Sequence, residues 1–345
     1  QLRPVGAGLG VGSNALQALY EAGLGKTVEE LGHRLDVLDF YSEEGKLLNE
    51  LNVKKMTEKY GVNNVTIHRA DLHQTLLNAL PKENIVLNKT CVAVVDRGDS
   101  VHVTFDDGSS DEGDYVLAAD GIHSRIRKQL IPQSVPRYAG YTCWRGVVKG
   151  RNPYGEYTST EIWGKGSRFG IVPLKEDLVY WFACVNAQRR DPTYLRYQVE
   201  DVAEHFSAYP KHVADMIRQT KRDELLHHDI EDIRPLTKFV YGRIILIGDA
   251  AHATTPNMGQ GAGQAIEDAI VLAKSFSMLE PGAALQRYEK LRIKRTKKII
   301  TMSRRIGAGI QLENRTFIRV RNALFQRVPS FLLQKNFAFL LDVDF

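Results

Sequence analysis

Two short apolar runs, each followed at once by a glycine and an aspartate, constrain the fold of this chain most strongly. The first, residues 115–119, leads into an Asp-Gly pair, and the second, residues 244–247, leads into a Gly-Asp pair. Continuous apolar runs of this kind are typical of parallel strands that are buried on both faces. Because α/β sheets bind ligands at the carboxyl ends of such strands, the sequence predicts an α/β fold with a ligand site where these two strands end.

The rest of the chain alternates between helical and strand-like segments that indicate two domains. Residues 13–32 and the segment after His68 have the apolar spacing of helices, whereas residues 137–186 are β-rich and aromatic, as in an antiparallel sheet. The expected divisions are a ligand-binding domain at 1–135, a β-rich domain at 136–235, a return to the ligand-binding domain at 236–280 and C-terminal helices at 281–345.

The composition excludes several classes of protein. The 345 residues are 43% hydrophobic and 25% charged, and a net charge of +5 over this length is too dilute for a nucleic-acid-binding surface. No apolar run approaches the roughly 18–20 residues of a membrane span. Cys91, Cys143 and Cys184 lie in apolar, strand-like runs, so we expect them to be buried, reduced thiols of a cytoplasmic protein.

The histidines are interpreted as structural, and no metal site is expected. His227, His228 and Asp229 are adjacent in the sequence. Because neighbours on a strand point to opposite faces, a solvated turn or strand start is favoured over a shared metal. His123 and His252, which flank the two strand ends, are expected to form structural hydrogen bonds.

The glycine-rich start of the chain does not have the spacing of a dinucleotide-binding loop. In the pattern G-x-G-x-x-G, the third glycine would fall on Val11 if the pattern began at Gly6, and on Ser13 if it began at Gly8. The few residues before Gly6 also do not form the buried strand that such a loop must leave. Ligand binding is therefore expected further along the chain.

Glycines follow the second predicted strand. Asp249 can accept hydrogen bonds from sugar or ribityl hydroxyls, and Gly259, Gly261 and Gly263 come at the start of a predicted helix. Without side chains there, a flat ligand can lie against the backbone, whose amides favour negative charge. Tight packing explains a single turn of this kind equally well.

Cations follow the first predicted strand. Asp120 and Gly121 are followed by Ser124, Arg125 and Arg127 on a short predicted helix. Cations beside a carboxylate suit a phosphate-bearing ligand, and an exposed basic helix is the alternative.

Three segments together resemble a known family. "HRADLHQTLLNAL", "YVLAADGIHSRIRKQL" and "IILIGDAAHATTPNMGQGAGQAIEDA" are similar to the three downstream FAD motifs of the flavin-dependent aromatic hydroxylases, the single-component monooxygenases that include salicylate and urate hydroxylases. The resemblance implies a Rossmann-like FAD-binding domain interleaved with an antiparallel-sheet substrate domain, followed by a helical tail.

The resemblance also implies roles for individual residues. Arg69 would contact the flavin, Asp120 with Gly121 would serve both FAD and NADPH, and Asp249 would hold the ribityl chain. The residues expected against the isoalloxazine ring are Pro256, Gly259, Gln260, Gly261, Ala262 and Gly263. The segment that begins at Arg3 is similar to one that follows the first βαβ unit, with Arg3 and the backbone near Gly10 reaching toward the cofactor.

In the family, the G-x-G-x-x-G loop lies upstream of the position of Arg3. We therefore expect the natural protein to have about 30 further residues there, forming one βαβ unit. Loss of that unit would weaken FAD binding and leave neighbouring strands without a partner. A flavin-free, non-catalytic form of the chain is the corresponding alternative.

The substrate side resembles the urate-hydroxylase-like members through "YAGYTCWRGVV" and "GKGSRFGIVPL". This match implies that Arg168 binds an anionic substrate and that Tyr180 is its aromatic partner. Pairing of Arg168 with a surface acid, and a core position for Tyr180, are the alternatives. Asn257 replaces the acid that urate-type enzymes carry in this loop, which argues against urate itself.

The function implied is FAD-dependent hydroxylation of a small aromatic or heteroaromatic substrate by NADPH or NADH and O2, through a flavin C4a-hydroperoxide. Oxygenation of a polycyclic natural product or antibiotic, of the tetracycline-inactivating type, is the alternative. No side-chain nucleophile is required. We expect a monomer or homodimer without membrane or nucleic-acid partners.

Overall fold

A computed structural model describes residues 7–345, except for the side chain of Lys59. Arg3 lies outside the described residues. The strands are β1 (Gly8–Val11), β2 (His33–Leu35), β3 (Val37–Ser42), β4 (Leu47–Asn52), β5 (Asn64–His68), β6 (Cys91–Asp96), β7 (Val101–Phe105), β8 (Ser110–Gly113), β9 (Val116–Ala118), β10 (Arg137–Lys149), β11 (Thr158–Trp163), β12 (Ser167–Pro173), β13 (Leu178–Asn186), β14 (Leu226–Asp232), β15 (Val240–Tyr241) and β16 (Ile244–Leu246).

The helices divide between short connections and a long carboxyl-terminal set. They are α1 (Ser13–Glu21), α2 (Gly25–Leu31), α3 (Val53–Thr57), α4 (Arg69–Asn78), α5 (Arg125–Leu130), α6 (Val199–His205), α7 (Lys211–Arg218), α8 (Asp249–His252), α9 (Gly261–Met278), α10 (Pro281–Ile310), α11 (Arg315–Arg327) and α12 (Ser330–Phe337). This mixture of helices and sheets confirms the predicted α/β class.

The two apolar runs pair in parallel, as predicted. Ile244, Ile245 and Leu246 of β16 align with β9, and both strands point their carboxyl ends toward the same edge. Burial on both faces, however, was wrong for β9: Leu117 is 51% exposed. The core that packs on this sheet includes Ala118 and Val116 but not Leu117, so only one face of β9 is covered within residues 7–345.

A seven-stranded sheet forms the β-rich part, in the order β14-β10-β13-β12-β11-β3-β4. Its long antiparallel ladders come from the region predicted to be β-rich. However, β3 and β4 come from the first 135 residues, and β3 joins by parallel pairing with β11. The domain divisions given above stay a prediction. The structure adds that β3 and β4, within residues 37–52, belong to the seven-stranded sheet.

The two faces of the seven-stranded sheet have different roles. One face packs against α6 and α7 through a buried core that includes Trp144, Phe169 and Trp181. Because side chains alternate along a strand, residues such as Cys143 and Arg168 project from the opposite face. That second face borders the cavity described below.

The glycine-rich start forms a strand and a helix junction rather than a dinucleotide loop. Gly8 pairs with His68 in an antiparallel ladder between β1 and β5, and α1 begins at Ser13. The helical prediction for residues 13–32 is confirmed as two helices, because Gly23 adopts a left-handed φ of +74° between them.

Helix α10 spans 30 residues and runs past both the parallel strands and the seven-stranded sheet. Within residues 7–345, no helix combines the length and the apolar character needed to cross a bilayer.

Candidate active site

A cavity of about 1070 Å³ lies between the carboxyl ends of β9 and β16 and the free face of the seven-stranded sheet. It brings together most of the residues predicted for the site. Those that border it are Gly10, Arg69, Gly121, Arg168, Tyr180, Asp249, Pro256, Gly259, Gln260, Gly261 and Ala262. Asp120 and Gly263 do not border it.

The Gly-Asp turn after β16 presents a carboxylate to the cavity. Gly248 has a φ of +55°, a conformation that favours glycine, and its N–H donates to Oδ2 of Asp268 at 2.8 Å. This bond fixes the turn from behind, so that the exposed side chain of Asp249 lies on the cavity side. A carboxylate in that position can accept hydrogen bonds from ligand hydroxyls.

The loop after α8 leaves its backbone open to the cavity. Pro256–Met258 form one turn of 3-10 helix, Gly259 is left-handed with a φ of +61°, and α9 begins at Gly261. A Cβ at Gly259 would meet no described atom within 4 Å, and one at Gly261 would meet only Cγ2 of Thr254, at 3.8 Å. A flat ligand can therefore lie against this loop, with the first amides of α9 pointing at it.

Gly263 has a packing role, and its predicted contact with the flavin ring stays a prediction. A Cβ at this position would lie 3.3 Å from Cβ of Ala15, so Gly263 allows α9 to approach α1 closely. That approach places Asn14 within hydrogen-bond distance of Gln260, whose Oε1 accepts from Nδ2 of Asn14 at 3.0 Å.

Asp120 supports the site indirectly. Its Oδ2 accepts from the backbone N–H of Arg125 at 2.8 Å, so the carboxylate caps the start of α5. Gly121, with a φ of +82°, borders the cavity instead. Contact of Asp120 with FAD or NADPH therefore stays a prediction, with no support from its position in this structure.

Arg127 does not lie free beside the strand end, as a phosphate ligand would require. It is buried, and its Nη1 donates to the carbonyl oxygens of Asp249 at 3.4 Å and Ala250 at 3.1 Å. It therefore ties the two strand ends together, whereas Arg125 is exposed, as in the basic-helix alternative.

Arg168 is the main cation of the sheet face, and it is only 1% exposed. Its Nη2 donates to Oδ1 of Asn257, and its Nη1 lies 3.6 Å from Oε2 of Glu161. Neither Nε nor Nη1 has a hydrogen-bond partner among the described residues. Because buried polar groups are normally paired, these two N–H donors are suited to a ligand. The partner acid, Glu161, also borders the cavity rather than the outer surface.

Asn257 holds the loop against the sheet without adding charge. Its Nδ2 donates to Oγ1 of Thr255 at 2.9 Å and to the carbonyl of Ser303 at 2.8 Å, while its Oδ1 accepts from the hydroxyl of Tyr141 at 3.0 Å. Because Asn257 is neutral, it does not balance the charge of Arg168, whose ion-pair partner among the described residues is Glu161.

Tyr180 combines its predicted cavity position with a packing role. It borders the cavity, but a Cβ at Gly8 would lie 2.5 Å from its ring, so the ring also packs tightly on β1. Burial raises the pKa of the Tyr180 hydroxyl, which is hydrogen-bonded to Arg145.

Sequence reasoning did not select Arg145, Glu161 or the Cys143 and Cys184 pair, although all four border the cavity. Cys143 and Cys184 are directly opposite each other on β10 and β13, and both are free thiols. The two-residue alternation of these strands around Arg168 was the signal that could have placed them on the cavity face.

A buried polar network supports the loop from behind. Arg292 donates from Nε to Oδ1 of Asp268 at 2.7 Å and also pairs with Glu267. His252 lies 2.5 Å from Oδ2 of Asp268, which confirms its structural hydrogen-bonding role. Burial raises the pKa of Asp268, but the charges of His252 and Arg292 outweigh this effect and hold the pKa below its ordinary value.

The remaining histidines follow strand geometry. His227 stacks on Trp144 at a centroid distance of 4.7 Å, whereas His228 is directed toward Arg145 on the cavity face. Both histidines lie near the start of β14, so of the two predicted settings, a solvated turn or the start of a strand, the structure has the second. His123 is 71% exposed and lies 3.7 Å from Glu231.

Comparison with known proteins identifies the family. A family model described as an FAD binding domain matches residues 4–303. The chain belongs to this family of flavoproteins. The open glycine backbone at 259–261 and the Asp249 carboxylate fit such a cofactor, because they offer a flat surface and a hydroxyl acceptor at one end of the cavity.

Individual relatives agree with this assignment. The chain is 37% identical over 312 residues to aurachin C monooxygenase/isomerase of Stigmatella aurantiaca, covering 90% of this chain and 81% of the relative. It is 32% identical over 298 residues to 2-heptyl-3-hydroxy-4(1H)-quinolone synthase of Pseudomonas aeruginosa, covering 85% and 76%.

Among solved structures, Klebsiella pneumoniae HpxO complexed with FAD and uric acid matches with a TM-score of 0.90 and 25% identity, covering 99% of this chain and 88% of that one. The flavoprotein is therefore an FAD-dependent monooxygenase, an oxidoreductase with the two-domain fold of the aromatic hydroxylases.

Proposed function

We propose that this monooxygenase uses NADPH or NADH and O2 to hydroxylate a small aromatic or heteroaromatic compound that carries an acidic or carbonyl oxygen. The observation that supports this most directly is Arg168, a buried cation beside the cavity whose Nε and Nη1 lack a hydrogen-bond acceptor among the described residues, although Nη1 lies 3.6 Å from Glu161. Hydrogen bonds to a charged donor are worth about 1.5–3 kcal/mol, enough to orient a ring in the cavity.

The chemistry belongs mainly to the cofactor. When bound, FAD supplies the activation of oxygen after reduction by the nicotinamide. The loop at 259–261 would hold the ring of FAD, and Asp249 would accept hydrogen bonds from its hydroxyl-bearing chain. No nucleophile or general base of the protein is needed, so the side chains act by binding and orienting.

The substrate would lie between the loop and the sheet. Arg168 would bind its oxygen substituent from one side, and the ring of Phe182 borders the same space, with the Arg168 guanidinium 5.7 Å from its centroid. Apolar side chains such as Val172 and Ile230 exclude water from this region.

The names of two relatives support an oxygen-bearing heterocycle. One relative is named for a 3-hydroxy-4(1H)-quinolone, and a solved structure contains uric acid. In this chain, Asn257 keeps the loop neutral, so the second cation, Arg145, and Arg168 outnumber the acid Glu161 at the sheet end of the cavity. This charge balance favours an anionic or strongly polarised ring oxygen.

The test begins with the full chain purified in excess FAD and then desalted. Retention of the visible flavin absorption bands, followed by NAD(P)H oxidation that a ring compound stimulates, is the expected result. A panel of one-ring, two-ring and four-ring compounds separates the proposal from the polycyclic alternative. A colourless protein would instead support the flavin-free form, and a flavin-loaded protein that no compound stimulates would contradict the proposed reaction.

Arg168 provides the decisive variant. Arg168→Met should raise the KM of the best acidic substrate about 10-fold to 100-fold, and Arg168→Lys should restore part of that loss. Arg218, a surface residue that pairs with Glu200, offers the matched control, Arg218→Met. An unchanged KM in Arg168→Met would remove this residue from substrate binding.

A further inference from the structure

The cavity continues past Arg168 into an apolar end that the proposed reaction leaves without a role. On the cavity face of the seven-stranded sheet, Ser159 of β11 lies beside Leu38 of β3, and Leu38 lies beside Leu51 of β4. The residues that line this apolar end are Leu35, Leu38, Leu51, Val53, Met56 and Phe337. They come from β2, β3, β4, α3 and α12, so separate parts of the chain converge to form it.

The apolar end lies within reach of a molecule bound at Arg168. The strand that carries Arg168, β12, is separated from β3 by β11 alone, and from β4 by β11 and β3. Because neighbouring strands are about 4.8 Å apart, Leu38 and Leu51 lie on the order of 10 and 14 Å from β12.

The lining changes from polar to apolar along this path. The carboxylate of Glu161 is held near Arg168, since its Oε2 also accepts from Nε1 of Trp163 at 3.0 Å. Asp39 borders the cavity as well, but it alternates with Leu38 along β3, so its side chain is directed to the other face. The six residues of the apolar end carry no charge and no N–H or O–H group on their side chains.

Apolar surface that faces a cavity favours an apolar occupant, because water gains little there. We infer that the substrate carries an apolar chain of about eight carbons, which lies in the apolar end while its ring is held at Arg168. The length follows from a span of about 10 Å, with an advance of about 1.3 Å for each carbon-carbon bond. The inference rests on the proposed function, since that function places the ring.

The continuity of the cavity favours one molecule over two. The polar region at Arg168 and the apolar end border the same cavity. The six residues of the apolar end pack on one another, and a ring alone would leave the parts of them that border the cavity uncovered. A lipid alone would offer no acceptor to the Nε and Nη1 donors of Arg168. A ring with an attached chain covers both.

The first test is isothermal titration of the FAD-loaded full chain with 4-hydroxyquinolines that carry methyl, butyl, heptyl and undecyl chains. We expect the affinity to rise by up to about fourfold per added methylene, and to level off near the length that fills the apolar end. Affinity that does not depend on chain length would overturn the inference. Equal binding of a heptyl alcohol without a ring would overturn the claim that one molecule spans both regions.

Two variants assign the effect to the apolar end. Leu38→Asn and Met56→Gln should each reduce the heptyl-to-methyl affinity ratio about 10-fold. Leu47, which is 46% exposed on β4, gives the matched control Leu47→Asn. If both lining variants fold, as shown by retained flavin, and keep the ratio, the chain does not bind at this end.

Measurements of turnover distinguish a failure of this inference from a failure of the proposed function. Hydroxylation of the methyl and heptyl compounds with equal KM and equal affinity would overturn the inference and leave the proposed function intact. Chain-dependent binding without any stimulated NAD(P)H oxidation would overturn the proposed function, and with it the description of the bound molecule as a substrate.

Discussion

Cys184 lies directly opposite Arg168 across β13 and β12, and Cys143 lies opposite Cys184 on the other side. The three side chains therefore form one row across the cavity face. Burial opposes ionisation of Cys184, but the hydrogen bond with Cys143 and the charge of Arg168 outweigh it and lower the pKa of Cys184 to about 7. In the same row, the hydrogen bond with Cys184 and burial raise the pKa of Cys143.

This row predicts that the affinity for an acidic ligand depends on pH. Above pH 7 the Cys184 thiolate would neutralise Arg168, so the Kd of the best acidic substrate of the panel should rise between about pH 6.5 and 8.5. Titration calorimetry across this range measures the effect. Cys184→Ser should remove the dependence, whereas Cys91→Ser, at a thiol outside the cavity lining, should keep it. The same rise in Cys184→Ser would show that another group is responsible.

The network behind the loop predicts a large loss of stability for Arg292→Met. Removing this cation leaves Asp268 and Glu267 in a buried site with fewer partners, which typically costs about 3–5 kcal/mol. Urea unfolding measures the free energy. Arg218→Met, which breaks an ion pair between exposed side chains, should cost less than about 1 kcal/mol. Similar losses in the two variants would show that the buried network is not a major source of stability.

Gly261 separates cofactor binding from folding. In Gly261→Ala, the new Cβ would touch only Cγ2 of Thr254, at 3.8 Å, so the fold should be as stable as before or slightly more so. If the flavin ring lies against this backbone, the same methyl group should weaken FAD binding about 10-fold or more. Flavin fluorescence on titration gives the Kd of FAD. The matched control is Gly309→Ala in α10, where a Cβ would meet no described atom within 4 Å, and it should leave the Kd of FAD unchanged. Unaltered FAD affinity in Gly261→Ala would place the ring elsewhere.

Asp39 predicts a pH-dependent stability. Burial, with the nearby Glu50, raises its pKa from 3.8 to about 6. The folded protein therefore holds a proton that the unfolded chain releases between these values, so this group destabilises the fold as pH rises through that window. Asp39→Asn should raise the Tm at pH 8 and have little effect near pH 4. Because the group is partly exposed, solvent screening limits the gain to roughly 1 kcal/mol, or about 2 °C. An equal gain in Tm at pH 4 and pH 8 would show that the raised pKa of Asp39 is not the cause of the stabilisation.

Local patterns in the sequence were enough to find the side of the cavity where we propose that the flavin binds. The apolar runs before Asp120 and Asp249, and the glycines at 259 and 261, are patterns of only a few residues. The two strand ends and the glycine loop could therefore be predicted from local sequence. Gly263 and Asp120 make structural contacts that their local patterns did not predict, while their predicted contacts with the cofactor stay predictions. Their local pattern is the same whether a residue faces a ligand or a neighbouring helix, and only packing against Ala15 or α5 decides.

Long-range pairing explains what the sequence did not reveal. The β3 strand joins β11 in parallel across more than a hundred residues, and Asn14 reaches Glu267 from 253 positions away. Neither contact leaves a periodic signal in one chain. The apolar end of the cavity depends on the first of these contacts, since Leu38 lies on β3.

Helix α10 contacts three separate supports of the site. Its Arg292 supports the turn after β16, its Ser303 accepts from Asn257 in the loop, and its Arg304 donates to Asp232 of the seven-stranded sheet at 2.9 Å. A helix of 30 residues is about 45 Å long, and α10 therefore connects the parallel strands β9 and β16 with the seven-stranded sheet. Any movement of the parallel strands relative to the seven-stranded sheet would therefore have to break the contacts of Arg292, Ser303 or Arg304.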